Sequence, residues 1–104
     1  MDLSIDTKEK GTTTCLVVTG EVDVSNAAEL RTALDAALES GAKSIEVDMA
    51  SVGYIDSTGI GVLVGAAHRA AEQGGELVIA KPQPNVSRVL GLLGVAAELN
   101  VRES

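Results

Sequence analysis

The chain has 104 residues, 45% of them hydrophobic and 22% charged, which gives it the length of one domain and the composition of a folded one. Tyr54 is the only aromatic residue and the formal net charge is −7. Single-stranded nucleic acid finds no stacking platform here and a phosphate backbone is repelled, so nucleic-acid binding is excluded and a partner with a basic face is favoured.

Leu3 and Ile5 alternate with polar residues and predict a short edge strand, followed by a charged turn at Lys8-Glu9-Lys10-Gly11. Thr13 to Thr19 predicts a second strand, closed by Gly20 and paired with the first as a hairpin. It contains the only cysteine, Cys15, in an apolar run where a buried small hydrophobe is expected, and no disulfide can form within the chain. Gly20-Glu21-Val22-Asp23 leads into a helix, with Asn26 and Glu29 spaced as a capping box and Ser25 as the alternative cap. Ala27, Leu30, Leu34, Ala37 and Leu38 form its apolar face, and Gly41 stops it.

Ser44 to Met49 predicts a strand of about six residues. A second helix is expected from about Thr58 to Gln73, with Ile60, Leu63, Val64, Ala67 and Ala71 facing inward and Gly74-Gly75 ending it. Glu76 to Ala80 is a further strand. After Pro82 and Pro84 comes a shorter helix with the stripe Val86, Val89, Leu90 and Leu93, stopped by Gly94, and Leu99 and Val101 suggest a last short strand. The order β-β-α-β-α-β-α-(β) predicts one small α/β domain whose sheet is mostly parallel, with an antiparallel first strand. Ligands and partners of such sheets meet the loops at the carboxyl ends of the strands, where Tyr54 to Gly59 fall. There is no internal repeat, signal peptide or apolar run near the ~20 residues of a membrane span, so a cytoplasmic location is expected.

One His and one Cys far apart provide no metal-ligand spacing, and no segment resembles a calcium loop. Ser57 beside Asp56, with His68 the only imidazole, suggests a catalytic triad, but eleven residues of helix separate Ser57 from His68 by roughly 16 Å. A base must lie within about 3 Å of the hydroxyl it deprotonates, so the triad fails and no enzymatic activity is expected. Gly59, Gly61 and Gly65 match a dinucleotide fingerprint only loosely, because Val64 holds the place of its third glycine and no P-loop lysine follows. Close approach of the helix to the sheet or to a partner explains these glycines better. Asn85-Val86-Ser87 has the form of a glycosylation sequon that a cytoplasmic protein does not use.

Asp56-Ser57-Thr58 remains. Read structurally, Ser or Thr caps the helix and Asp complements its dipole. Read functionally, Ser57 accepts a phosphate, which the positive end of the helix accommodates without unfolding and which adds about −2 of charge where a partner docks.

Four segments resemble the STAS domain of bacterial anti-sigma factor antagonists: Gly20-Glu21-Val22-Asp23, Tyr54-Ile55-Asp56-Ser57-Thr58-Gly59-Ile60-Gly61, Gly74-Gly75-Glu76-Leu77 and Val89-Leu90-Gly91-Leu92-Leu93-Gly94. They occur in the family's order, and the Asp-Ser-Thr-Gly core is the most specific of them. The resemblance implies a single STAS domain over residues 1–104, with a mixed, mostly parallel sheet of four to five strands and helices mainly on one side. It also implies partner switching. The unphosphorylated protein binds an anti-sigma factor that is also an ATP-dependent serine kinase, phosphorylation of Ser57 breaks the complex, and a PP2C-type phosphatase restores it. The resemblance puts partner contacts at Asp23, Tyr54, Asp56, Ser57, Thr58, Gly59 and Gly61, requires no cofactor or metal in this chain, and leaves the free protein a monomer. Two features depart from the family: the further C-terminal helix is short or missing, and Tyr54 stands where Phe or another apolar residue is common. The same fold also serves as a constitutive binding module in transporters, lipid-transport complexes and stress-sensing assemblies, and that alternative stays open on sequence grounds.

Overall fold

Residues 2–103 are described by the computed structural model. In chain order they form β1 (Leu3–Lys10), β2 (Thr13–Val22), α1 (Ala27–Glu39), β3 (Ser44–Ile55), α2 (Ser57–Glu72), β4 (Glu76–Ala80), α3 (Pro84–Leu92) and β5 (Val101–Arg102). The strands lie side by side in the order β1-β2-β3-β4-β5; β1 is antiparallel to β2 and the other pairs are parallel. Each parallel step needs a crossover through a helix, and every crossover moves one strand in the same direction. Right-handed crossovers therefore put α1, α2 and α3 on one face of the sheet, as expected for a single α/β domain with its helices on one side.

That face holds the core. Leu16 and Val18 of β2 and Ile45, Val47 and Met49 of β3 meet Leu30 and Leu34 of α1, Ile60, Leu63, Ala66 and Ala70 of α2, and Val86 and Leu90 of α3. β4 buries four successive apolar residues, Leu77 to Ala80, as an interior parallel strand does. The opposite face carries no helix, and there Lys8, Cys15 and Glu46 lie in one row across β1, β2 and β3. Cys15 is therefore half-buried rather than buried, because it points away from the helices.

Several boundaries move from their expected places. β1 runs on through Lys10, because its outward face tolerates charge, and the turn is only Gly11-Thr12. Gly11 has φ +63, which places a positive φ at the first central position as a type II′ hairpin turn requires. Gly20 does not close β2. It lies inside the strand at φ +117, where a Cβ would come within 2.2 Å of the Asp2 carbonyl oxygen. β3 is 12 residues long, about twice its expected length, because register shifts against β2 let pairing resume through Tyr54–Glu21 and Ile55–Val22. No capping box forms at α1, since the Asn26 side chain makes no capping hydrogen bond. α2 turns Ala66 and Ala70 inward while Val64 is half-buried and Ala71 exposed. In α3, Val86 and Leu90 are buried while Val89, and Leu93 just past the helix end, stay exposed. Leu99 is buried in the turn before β5 rather than in a strand.

Candidate functional site

The carboxyl ends of β2 and β3 converge on the first turn of α2, and Asp56 joins all three. Its backbone N–H donates to the Val22 carbonyl at 3.1 Å, continuing the β2–β3 ladder by one bond, and its own carbonyl accepts from Ile60 N at 3.0 Å. One side-chain oxygen, Oδ1, accepts from Gly59 N at 3.0 Å and the other, Oδ2, from Val24 N at 3.1 Å. Asp56 is therefore the N-cap, a role worth about 1 kcal/mol, and Ser57 is the first helical residue rather than the cap. The same carboxylate ties the β2–α1 loop to the α2 N-terminus. With both oxygens engaged by backbone amides, Asp56 is poorly placed to deprotonate its neighbour. His68 is exposed about three turns further along the same helix.

The loop it holds is built by side chains of its own. Asn26 is 3% exposed; it donates from Nδ2 to the Glu21 carbonyl at 2.9 Å, and its Oδ1 accepts from Asp23 N at 2.9 Å. Asp23 in turn accepts from the Ser25 amide at 2.9 Å and from the Ser25 hydroxyl. The Ser25 hydroxyl, with help from backbone amides, holds the Asp23 carboxyl below the ordinary carboxylate range. The result is a tight turn that presents Val24 to solvent at 76% exposure.

Ser57, Thr58 and Gly61 are exposed, Tyr54 is 45% exposed at the end of β3, and Asp23 and Asp56 are half-buried beside them. Six of the seven residues singled out from sequence thus carry exposed or half-buried surface at this end of the sheet. Gly59 does not: it is buried, and a Cβ there would meet Val22 Cγ1 at 2.6 Å and Ile55 Cγ1 at 2.8 Å. It sets the approach of α2 to the sheet and offers nothing to a partner. At Gly61 and Gly65 an added Cβ would meet nothing within 4 Å, so internal packing does not account for the bare backbone on the outer face of α2. Val24 and Asn26 escape sequence reasoning as site residues. An apolar residue between Asp23 and Ser25 in a polar loop is the signal that marks Val24. Among the described residues no group of three or more His, Cys, Asp or Glu side chains comes together as a metal site would require, and no helix is long and apolar enough to cross a membrane.

A family model described as the STAS domain matches residues 4–104. An anti-sigma-B factor antagonist of Bacillus subtilis is 32% identical over 95 residues, covering 91% of this chain and 86% of that protein. An anti-sigma factor antagonist of Mycobacterium paratuberculosis superposes with a TM-score of 0.90 at 17% identity, over 99% of this chain and 87% of that one. The Bacillus cell fate determinant SpoIIAA in its phosphorylated form superposes with a TM-score of 0.74 at 17% identity, over 94% and 90% of the two chains.

Proposed function

The chain belongs to the STAS domain family, and on that premise we propose that it is an anti-sigma factor antagonist switched by phosphorylation of Ser57. The observation that carries this reading is the setting of the Ser57 hydroxyl. It is exposed at the first position of α2, beside a carboxylate already occupied by the Gly59 and Val24 amides. A hydroxyl with no base of its own suits a phosphoryl acceptor, whose base the kinase supplies, better than a catalytic nucleophile. The name of the 32% identical relative supports the partner class, an anti-sigma factor.

In the unphosphorylated state the anti-sigma factor docks over Asp23, Val24, Tyr54, Ser57, Thr58 and Gly61 and releases its sigma factor. Val24 and Tyr54 supply exposed apolar area there, and the bare backbone at Gly61 admits close contact. The same partner, acting as a serine kinase, transfers the γ-phosphoryl group of ATP to Ser57 Oγ. The amides of Ser57 and Thr58 have no acceptor within the helix and face the new anion, so the domain keeps its fold. The partner instead meets about −2 of added charge on a chain already at −7, and dissociates. A PP2C-type phosphatase, with the metal in its own active site, resets the switch.

Incubation with the anti-sigma factor kinase and ATP, followed by mass-spectrometric site mapping, should place one phosphate on Ser57. Ser57→Ala should bind that kinase constitutively, and Ser57→Asp should lose at least tenfold in affinity, about 1.4 kcal/mol. Phosphate on another residue, or wild-type binding by Ser57→Asp, removes the proposal; an unmodified protein bound to a transporter complex supports the constitutive module instead.

A further inference from the structure

β1 is an edge strand, and its eight residues are paired on one side only. Two observations fix which backbone groups face outward. Lys10 and Thr13 flank the two-residue turn, so they form a hydrogen-bonded pair, and Glu21 N donates to the Asp2 carbonyl at the other end of the same ladder. Even-numbered residues of β1 thus bond to β2, and Leu3, Ile5, Thr7 and Glu9 direct their N–H and C=O groups away from the sheet. The register places Asp6 and Lys8 on the helix-free face, opposite Val17 and Cys15.

We propose that β1 pairs antiparallel with β1 of a second copy of this chain, about a two-fold axis at Thr7, joining two sheets into one of ten strands. The outward groups of odd residues can bond only odd to odd, which restricts the register. Centring on Thr7 sets Asp6 of each copy against Lys8 of the other twice, with Thr7 opposite Thr7 and Ile5 opposite Glu9. Moving the centre by one residue sets Asp6 against Asp6, or Lys8 against Lys8, in the closely spaced non-hydrogen-bonded position, where like charges repel. Charges along an edge ordinarily prevent strand addition. Here the same charges forbid the neighbouring registers and complement one another in this one. Thr7 and Glu9 also line a hollow of about 150 Å³ between β1 and α1, where the residues that α1 contributes, Ala33, Ala36 and Ala37, are all small. The contact is one strand wide and each copy carries −7, so association is weak and the protein is monomeric when dilute. The surface lies on β1, apart from the α2 N-terminus, and the proposal does not depend on the phospho-switch.

Sedimentation equilibrium of the full chain up to about 1 mM tests it. Wild type should show a monomer–dimer equilibrium. Asp6→Lys and Lys8→Asp should each weaken it at least about tenfold by replacing two attractive pairs with two repulsive ones. The double variant Asp6→Lys/Lys8→Asp should restore it. Thr7→Pro, which removes an outward N–H without touching the β1–β2 ladder, should abolish it while leaving the circular dichroism spectrum native. A monomer at every concentration, equal dimerisation by either single charge reversal, or no recovery in the double variant overturns the proposal.

Discussion

Asp23 and Asp56 both accept hydrogen bonds from nearby backbone amides but do different work in the fold. Asp56 is a fastener: two of its hydrogen bonds cross from α2 to β2 and the loop behind it. Asp23 is a local turn-maker whose carboxylate is stabilised chiefly by the Ser25 hydroxyl. A carboxylate titrating below its unfolded value stabilises the fold above the ordinary range near 3.9 and loses that contribution as pH falls through the folded-state value. Carboxyl NMR titration should find Asp23 with a midpoint below 3.9, and Ser25→Ala should bring it back towards that value. An unchanged midpoint in Ser25→Ala would show that the backbone amides, not the hydroxyl, hold the charge. The triplet Asp56-Ser57-Thr58 is legible in the sequence because hydroxyls and a carboxylate before an apolar 3.6-period pattern are an N-terminus signal. Which of the three caps is not legible, since Asp and Ser are nearly equal N-caps and only the bond from Gly59 N to the Asp56 carboxylate distinguishes them.

At the scale of elements, α2 shows how two glycines two residues apart acquire opposite meanings. Gly59 packs against Val22 and Ile55, so Gly59→Ala must push α2 off the sheet and should destabilise the fold by about 1–3 kcal/mol. Gly61 faces open space, so Gly61→Ala should stabilise the fold by about 0.5–1 kcal/mol through helix propensity while weakening the docking of the anti-sigma factor. Thermal melts and binding titrations of both variants separate the two roles. Gly61→Ala with raised stability and undiminished binding would mean that the partner does not approach this face. The same helix illustrates what periodicity conveys. Leu63 and Ile60 are plain as core, but a run of Ala and Val on every side of α2 leaves the rotation of the buried stripe to packing against α1, where Arg69 pairs with Asp35. β3 outruns its sequence pattern for a related reason: the Ala50-Ser51 step interrupts the apolar alternation, and only the register shift against β2 shows that the strand continues to Ile55. The hairpin and the parallel sense of the later strands need no such information, because they follow from connection lengths. The order β1-β2-β3-β4-β5 does need it, since a right-handed crossover can add a strand at either edge.

The whole molecule is a five-stranded sheet with its helices on one face and the proposed docking residues at the carboxyl end of β2 and β3. Its charge is −7, yet among the described residues only Arg69 and Asp35 form an ion pair, and both side chains are about 40% exposed. Exposed pairs contribute roughly 0–1 kcal/mol, so the fold rests on its aliphatic core and gains little from attraction between charges. Under the proposed function the uncompensated acidic charge would act on association instead, by attracting a partner with a basic face. These two roles respond differently to salt. Raising ionic strength from about 0.05 to 0.5 M shortens the screening length to a few ångströms and should slow association with the anti-sigma factor by about tenfold or more. The thermal midpoint should not fall over the same range, since screening also relieves the self-repulsion of the acidic chain. Stopped-flow association rates and calorimetric melts at matched salt concentrations measure both. An association rate indifferent to salt would leave the apolar contacts at Val24 and Tyr54, rather than the net charge, as what brings the partner to Ser57.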